Sequence, residues 1–288
     1  MKAYTYNNDD SDNLKFKIIN NNILIVKINR NNRRNAVDKK TANKLYSIFK
    51  EFNKDDKLDV AILYGGKDSF CSGADLKELS NGFENGNKVI SPKETDYGPM
   101  GCTRLKLDKP VICAISGYCV AGGLELALWC DLRVSSSKSI FGVFCRRWGV
   151  PLIDGGTIRL PRLIGHSRAM DLILTGRQVL ADEALQIGLV NRVVEVHQVL
   201  ESSIELAKLI SSFPKKCLRR DRLSAIEQWD LDANEALENE YRLGIKSLSE
   251  EGQKGSINFK KGQGRHGIFF NNTNNNSNNN TNNLISKL

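Results

Sequence analysis

Gly117-Tyr118-Cys119-Val120-Ala121-Gly122-Gly123-Leu124-Glu125-Leu126 decides how the chain is read. It follows the apolar run Val111–Ile115, whose β-branched residues suit a buried strand, and it leads into a helical pattern from Gly122 to Cys130. Glycine at a strand-to-helix junction leaves backbone N–H groups open to a ligand oxygen, and the first amides of a helix have no partner within it. Phe70-Cys71-Ser72-Gly73-Ala74-Asp75-Leu76-Lys77 repeats the arrangement. It comes after the strand pattern Val60–Tyr64 and the pair Gly65-Gly66, and it opens a second helix. One such turn is ordinarily a device for tight packing. Two of them, each on its own strand end, would converge on one ligand atom.

Outward from these turns the elements alternate. Ile23–Ile28 and Leu132–Ser135 read as further strands, and Asp38 caps a helix through Phe52 in which Leu45, Ile48, Phe49 and Phe52 share one face. Short strands alternating with helices predict an α/β core with crossover connections. From His166 onward the pattern becomes helical, with segments at Ser167–Leu174, Asp182–Ile187, Val199–Ser212, Cys217–Trp229 and Ala233–Leu248. The expected organisation is a polar extension over 1–13, a mixed core over 14–195, a helical region over 196–270 and a tail over 271–288. Asn271 to Asn283 is nearly pure Asn with Ser and Thr, a composition that buries no apolar surface and predicts disorder.

Composition narrows the function. At 288 residues, 40% hydrophobic and 26% charged, the chain has the material for a real core. No apolar run is long enough to span a membrane. The first dozen residues lack the apolar run of a signal peptide and the Arg-rich, acid-poor character of a transit peptide. Its seven cysteines are scattered without a C-x-x-C pair, and its three histidines show no ligand spacing. Free thiols and no metal are the expectation. The net charge of +9 suits nucleic acid, an anionic surface or a small molecule bearing several phosphates. Because the basic residues are dispersed rather than gathered in one block, the nucleic-acid reading is the weaker.

Taken together, Asn29-Arg30 to Arg34-Asn35-Ala36-Val37, the segment around Gly73 and the segment around Gly122 closely resemble the crotonase superfamily, whose best-known member is enoyl-CoA hydratase. Leu163-Ile164-Gly165 and the stretch Ala181-Asp182-Glu183-Ala184 through Gly188-Leu189-Val190 continue the likeness, which covers roughly residues 14–248. The resemblance implies a crotonase-like spiral of ββα/βαβ turns followed by helices that drive trimer assembly, often into hexamers. It implies an acyl-CoA substrate, with coenzyme A as part of the substrate and no separate cofactor. Carried over by position, the amides of Ala74 and Gly122 form an oxyanion hole for the thioester oxygen, each worth about 3 kcal/mol where charge develops. Ala74, Asp75, Leu76 and Lys77 would line the acyl and pantetheine path, and Arg34 and Ala36 the nucleotide.

Glu125 matches the first of two glutamates in the hydratases; Cys145 stands in place of the second. Asp154, just ahead of an expected helix start, is the candidate second carboxylate, with an ordinary N-cap role as its alternative. Some family members place a functional aspartate at the corresponding loop. The activity expected is addition of water to a 2-enoyl-CoA, with double-bond isomerisation through Glu125 and Asp154 as the rival. A non-catalytic or RNA-binding relative is the rival from another class. Ser286-Lys287-Leu288 is the peroxisomal import tripeptide, which arises by chance about once in several thousand chains and predicts an import receptor as partner.

Overall fold

The computed structural model describes residues 13–82 and 86–264. In chain order the strands are β1 (Leu14–Ile19), β2 (Ile23–Ile28), β3 (Val60–Tyr64), β4 (Ser69–Cys71), β5 (Val111–Ile115), β6 (Tyr118–Val120), β7 (Leu132–Ser136), β8 (Ile140–Gly142), β9 (Val179–Leu180) and β10 (Arg192–Val194). The helices are α1 (Lys39–Lys54), α2 (Leu76–Leu79), α3 (Gly122–Trp129), α4 (Gly156–Ile164), α5 (His166–Thr175), α6 (Ala181–Gln186), α7 (Val199–Ser211), α8 (Lys215–Glu227), α9 (Ala233–Ser247) and α10 (Gln253–Lys260).

The larger sheet runs β1-β2-β3-β5-β7-β10, antiparallel only at the β1–β2 hairpin. Its central strands are buried on both faces, as parallel strands with crossovers on each side must be. Strand alternation divides them cleanly. Leu24, Val26, Ala61, Leu63, Cys113 and Ile115 pack toward α1, where Leu45, Phe49 and Phe52 are fully buried. Ile23, Ile25, Val60, Ile62, Ile112 and Ala114 face the other way, against Val199, Leu206 and Ala207 of α7. The Asp38 carboxylate caps α1 as expected, accepting from the Thr41 amide at 2.7 Å.

The smaller sheet, β4-β6-β8-β9, places the site. β4 and β6 lie side by side and parallel, with Cys71 opposite Cys119, so the turns that leave their carboxyl ends are neighbours.

The chain divides into two compact units, one through Lys215 and one from Lys216. This lies later than the 195/196 boundary expected from the helical pattern, because α7 covers one face of the large sheet and belongs with it. Within the second unit, Asp232 and Glu235 form a capping box on α9, and Glu250 accepts from Lys216 and Arg220 at 2.6 and 2.8 Å. All seven cysteines are free, six of them buried. Among the described residues no helix is long and apolar enough to cross a membrane, and no group of His, Cys, Asp and Glu is placed to hold a metal ion.

Candidate active site

The two Gly-rich turns meet. Gly73 sits at φ 102°, and a Cβ added there would lie 3.0 Å from the Gly122 nitrogen and 3.0 Å from the Ala121 Cβ. Any larger residue would stand over the Gly122 amide, which gives glycine a reason at this position beyond backbone freedom. Ala74 is held by a parallel bridge to Val37, made by Val37 N–H to the Gly73 carbonyl (2.8 Å) and Asp75 N–H to the Val37 carbonyl (3.0 Å). The bridge leaves the Ala74 amide out. Gly122 is the first residue of α3, so its amide has no intrahelical acceptor. Ala121 turns the chain into that helix at φ 53°, ψ −129°, a strained conformation for a residue with a Cβ, fixed by its N–H on the Gly142 carbonyl at 2.9 Å. Two amides without partners among the described residues therefore flank one spot at the ends of β4 and β6.

Glu125 lies one turn into α3 and is 2% exposed. Its Oε1 accepts from the amides of Asp154 (2.9 Å) and Gly156 (2.8 Å), whereas Oε2 accepts from no described residue. Burial, and then the charge of Asp154, raise the Glu125 carboxyl to about 7 despite these two donors. Such a group exchanges a proton near neutral pH. Gly156 is part of the same fit, since a Cβ there would lie 2.9 Å from Glu125 Oε1. Cys145 is also buried, and burial followed by the charge of Glu125 raises its thiol. Cys145, expected in place of a second glutamate, is thus held toward its neutral sulfhydryl form.

Asp154 is beside Glu125 but is not a helix cap. The residue preceding α4 is Gly155, and the Asp154 Oδ1 instead accepts from the Met100 amide (2.9 Å) and the Thr103 hydroxyl. Arg159, on α4, donates to the Asp154 carbonyl at 2.8 Å and the Thr103 carbonyl at 2.7 Å. Burial raises the Asp154 carboxyl, while Thr103, Met100 and the two nearby arginines oppose the shift.

The expected substrate-path residues occupy differing places. Arg34 is exposed at φ 49°, its guanidinium 5.1 Å from the centre of the Tyr118 ring, and Leu76 and Lys77 are exposed on α2. Ala36 is buried, its carbonyl accepting from Arg30. The Asp75 carboxylate is occupied: it pairs with Arg30 at 3.0 Å and caps α2 through the Lys77 amide at 3.1 Å.

Several positioning residues carry no sequence signal of their own. Arg30 bridges Asp38 (2.9 Å) and Asp75 (3.0 Å). The fully buried Asn35 donates to the carbonyls of Gly65 and Ser69 (2.5 and 2.6 Å) and accepts from the Arg30 amide (2.8 Å). Met100 and Thr103 lie more than fifty residues from Asp154 and Arg159 in the chain. The glycines framing Pro99-Met100 mark a turn, but nothing in the sequence tells what the turn touches.

Comparison with known proteins follows the same lines. The profile of the family described as enoyl-CoA hydratase/isomerase matches residues 18–264. A short-chain-enoyl-CoA hydratase of Clostridium acetobutylicum is 36% identical over 222 residues, covering 76% of this chain and 84% of the relative. A mevalonyl-coenzyme A hydratase of Aspergillus fumigatus is 36% identical over 189 residues, covering 66% and 69%. Among solved structures, an enoyl-CoA hydratase of Mycobacterium tuberculosis superposes with a TM-score of 0.80 at 31% identity, over 86% of this chain and 96% of that one.

Proposed function

The chain belongs to the enoyl-CoA hydratase/isomerase family, and from that premise we propose that it adds water across the double bond of a 2-enoyl-CoA in the peroxisome. It is an enoyl-CoA hydratase-type enzyme of the crotonase superfamily. The observation that carries the specific reading is Glu125: buried, poised near neutral pH, with one oxygen fixed by two amides and the other left for substrate.

The thioester oxygen sits between the Ala74 and Gly122 amides. Their dipoles favour the charge that develops when C3 is attacked, so the electron pair of the double bond moves toward that oxygen. Ionised Glu125 takes a proton from water as the water oxygen bonds to C3. The same carboxyl then returns the proton to C2 as the enolate collapses, so one water is consumed and no cofactor is required. Asp154 serves as the second carboxylate by holding Glu125 near its working pKa and fixing the wall opposite. Arg34, Ala36 and the backbone from Ala74 through Lys77 are the proposed CoA path, and the net charge of +9 favours a ligand bearing phosphates.

Incubation with crotonyl-CoA tests the reaction: loss of conjugated enoyl absorbance supports it. No loss, together with conversion of a 3-enoyl-CoA to the conjugated isomer, would replace hydration by isomerisation. Peroxisomal import rests on Ser286-Lys287-Leu288, which lie outside the described residues, as do most of the expected polar extension and the Asn-rich tail. Deleting the tripeptide should leave a fluorescent fusion in the cytosol; continued import would remove the assignment.

A further inference from the structure

The turn Gly98-Pro99-Met100-Gly101 is locked more firmly than an ordinary surface loop. Gly98 and Gly101 exchange both backbone hydrogen bonds, at 2.9 and 2.7 Å. On one side the Asp154 carboxylate holds the Met100 amide at 2.9 Å and the Thr103 hydroxyl, and a Cβ on Gly98 would lie 2.1 Å from the Thr103 Oγ1. On the other side Gly101, at φ 87°, presses on α1 so closely that a Cβ would lie 2.2 Å from the Ala42 carbonyl oxygen. Asn87 ties the Pro99 carbonyl (2.9 Å) to the Val37 carbonyl (3.1 Å), and Val37 is the bridge partner of Ala74.

The consequence of the lock is where it puts the Met100 side chain. That side chain is 1% exposed and lies across Gly122: a Cβ on Gly122 would be 2.9 Å from Met100 Sδ and 3.2 Å from both Cγ and Cε. Gly122 carries one of the two free amides, and Asp154, which holds Met100, gives its own amide to Glu125 at 2.9 Å. Met100 and Glu125 are therefore both tied to Asp154, and Met100 packs on the residue whose amide is proposed to hold the thioester oxygen. The thioether thus lies beside Gly122, where an acyl chain bound through its carbonyl would leave. Methionine is unbranched and adaptable, so it moves aside for a small group, but the pinned backbone gives no room for a long one.

We propose that Met100, held by the Asp154-anchored turn, closes the acyl end of the site and restricts the enzyme to short acyl chains. This rests on the acyl-CoA reading of the same site. The experiment compares kcat/KM for crotonyl-CoA and trans-2-decenoyl-CoA in the wild type, Met100→Ala and Met100→Leu, the last conserving volume. The wild type and Met100→Leu should favour the four-carbon substrate by at least about tenfold, a discrimination within reach of one apolar pocket wall. In Met100→Ala the ratio should fall by about tenfold or more, through gain on the ten-carbon substrate. A wild type that prefers decenoyl-CoA, or a ratio unmoved in Met100→Ala, would overturn the proposal. Calorimetric binding of butyryl-CoA and decanoyl-CoA to the same three proteins reads the same ratio without turnover. If no enoyl-CoA is hydrated, the reaction assignment fails while chain selection is still decided by that ratio. Circular dichroism shows whether each variant is folded, and Met100→Val carries the test if Met100→Ala is not: a ratio shifted toward the ten-carbon substrate supports the wall, an unmoved ratio counts against it.

Discussion

Glu125 is where protein stability and chemistry conflict. Its carboxyl is raised from 4.5 to about 7, so the folded chain binds that proton more tightly than the unfolded chain does. The stability this group contributes is therefore full below about pH 4.5 and is lost as pH rises through about 7, by about 3 kcal/mol at most. Glu125→Gln keeps an oxygen for the two amides but removes the charge. It should lose about a hundredfold to ten-thousandfold in turnover. It should also melt higher than the wild type at pH 8, with the difference shrinking at pH 5; equal melting at both would contradict the raised carboxyl. Asp154→Asn has a distinct signature. Removing the neighbouring charge lowers the Glu125 pKa, so the rising limb of the pH–rate profile should move to lower pH. An unmoved limb would show that Asp154 does not set it.

At the scale of elements, α3 ties the site together. Arg133 fixes its carboxyl end from the buried side, donating to the carbonyls of Cys130 (2.7 Å) and Leu189 (2.8 Å). At its amino end Gly123 packs on β4 so closely that a Cβ would lie 2.1 Å from the Cys71 carbonyl oxygen. Gly123→Ala must push α3 away from β4 and displace the Gly122 amide. We expect a loss of about 1–3 kcal/mol in urea unfolding and a fall of at least about tenfold in kcat/KM for crotonyl-CoA. Unchanged values would mean the two turns need not touch. The glycines and the buried strand runs made this part of the site legible from sequence: β2, β3, β5 and the start of α3 fall where periodicity puts them. Strands of two or three residues, such as β9 and β10, lie below the length at which alternation is informative. Asp154 was legible as a candidate carboxylate, but its partners were not, for another reason. An aspartate before a helix can equally be a cap, and the groups it holds instead, Met100 and Thr103, are more than fifty residues away.

For the whole molecule, α9 carries Leu237, Tyr241, Ile245 and Leu248, spaced by four, four and three along and just beyond the helix, all exposed at 45–70%. Such a stripe on a soluble surface marks a partner face, and we propose that its partner is a second copy of the chain in a trimer or hexamer. Light scattering should give one of these masses, and Leu237→Asp with Tyr241→Asp should give a smaller species; a monomeric wild type would contradict the assembly. The helices of this region were legible from their periodicity, but the division at Lys215 was not, because α7 is as amphipathic as its neighbours and only packing shows that it covers the sheet.

The most direct test of the account follows the oxygen atom. Crotonyl-CoA is incubated with the enzyme in water labelled with heavy oxygen, and the product is weighed by mass spectrometry. Hydration through Glu125 predicts a 3-hydroxyacyl-CoA carrying one labelled oxygen, formed by the wild type and lost in Glu125→Gln. Unchanged crotonyl-CoA, or a labelled product formed equally well by Glu125→Gln, would contradict it.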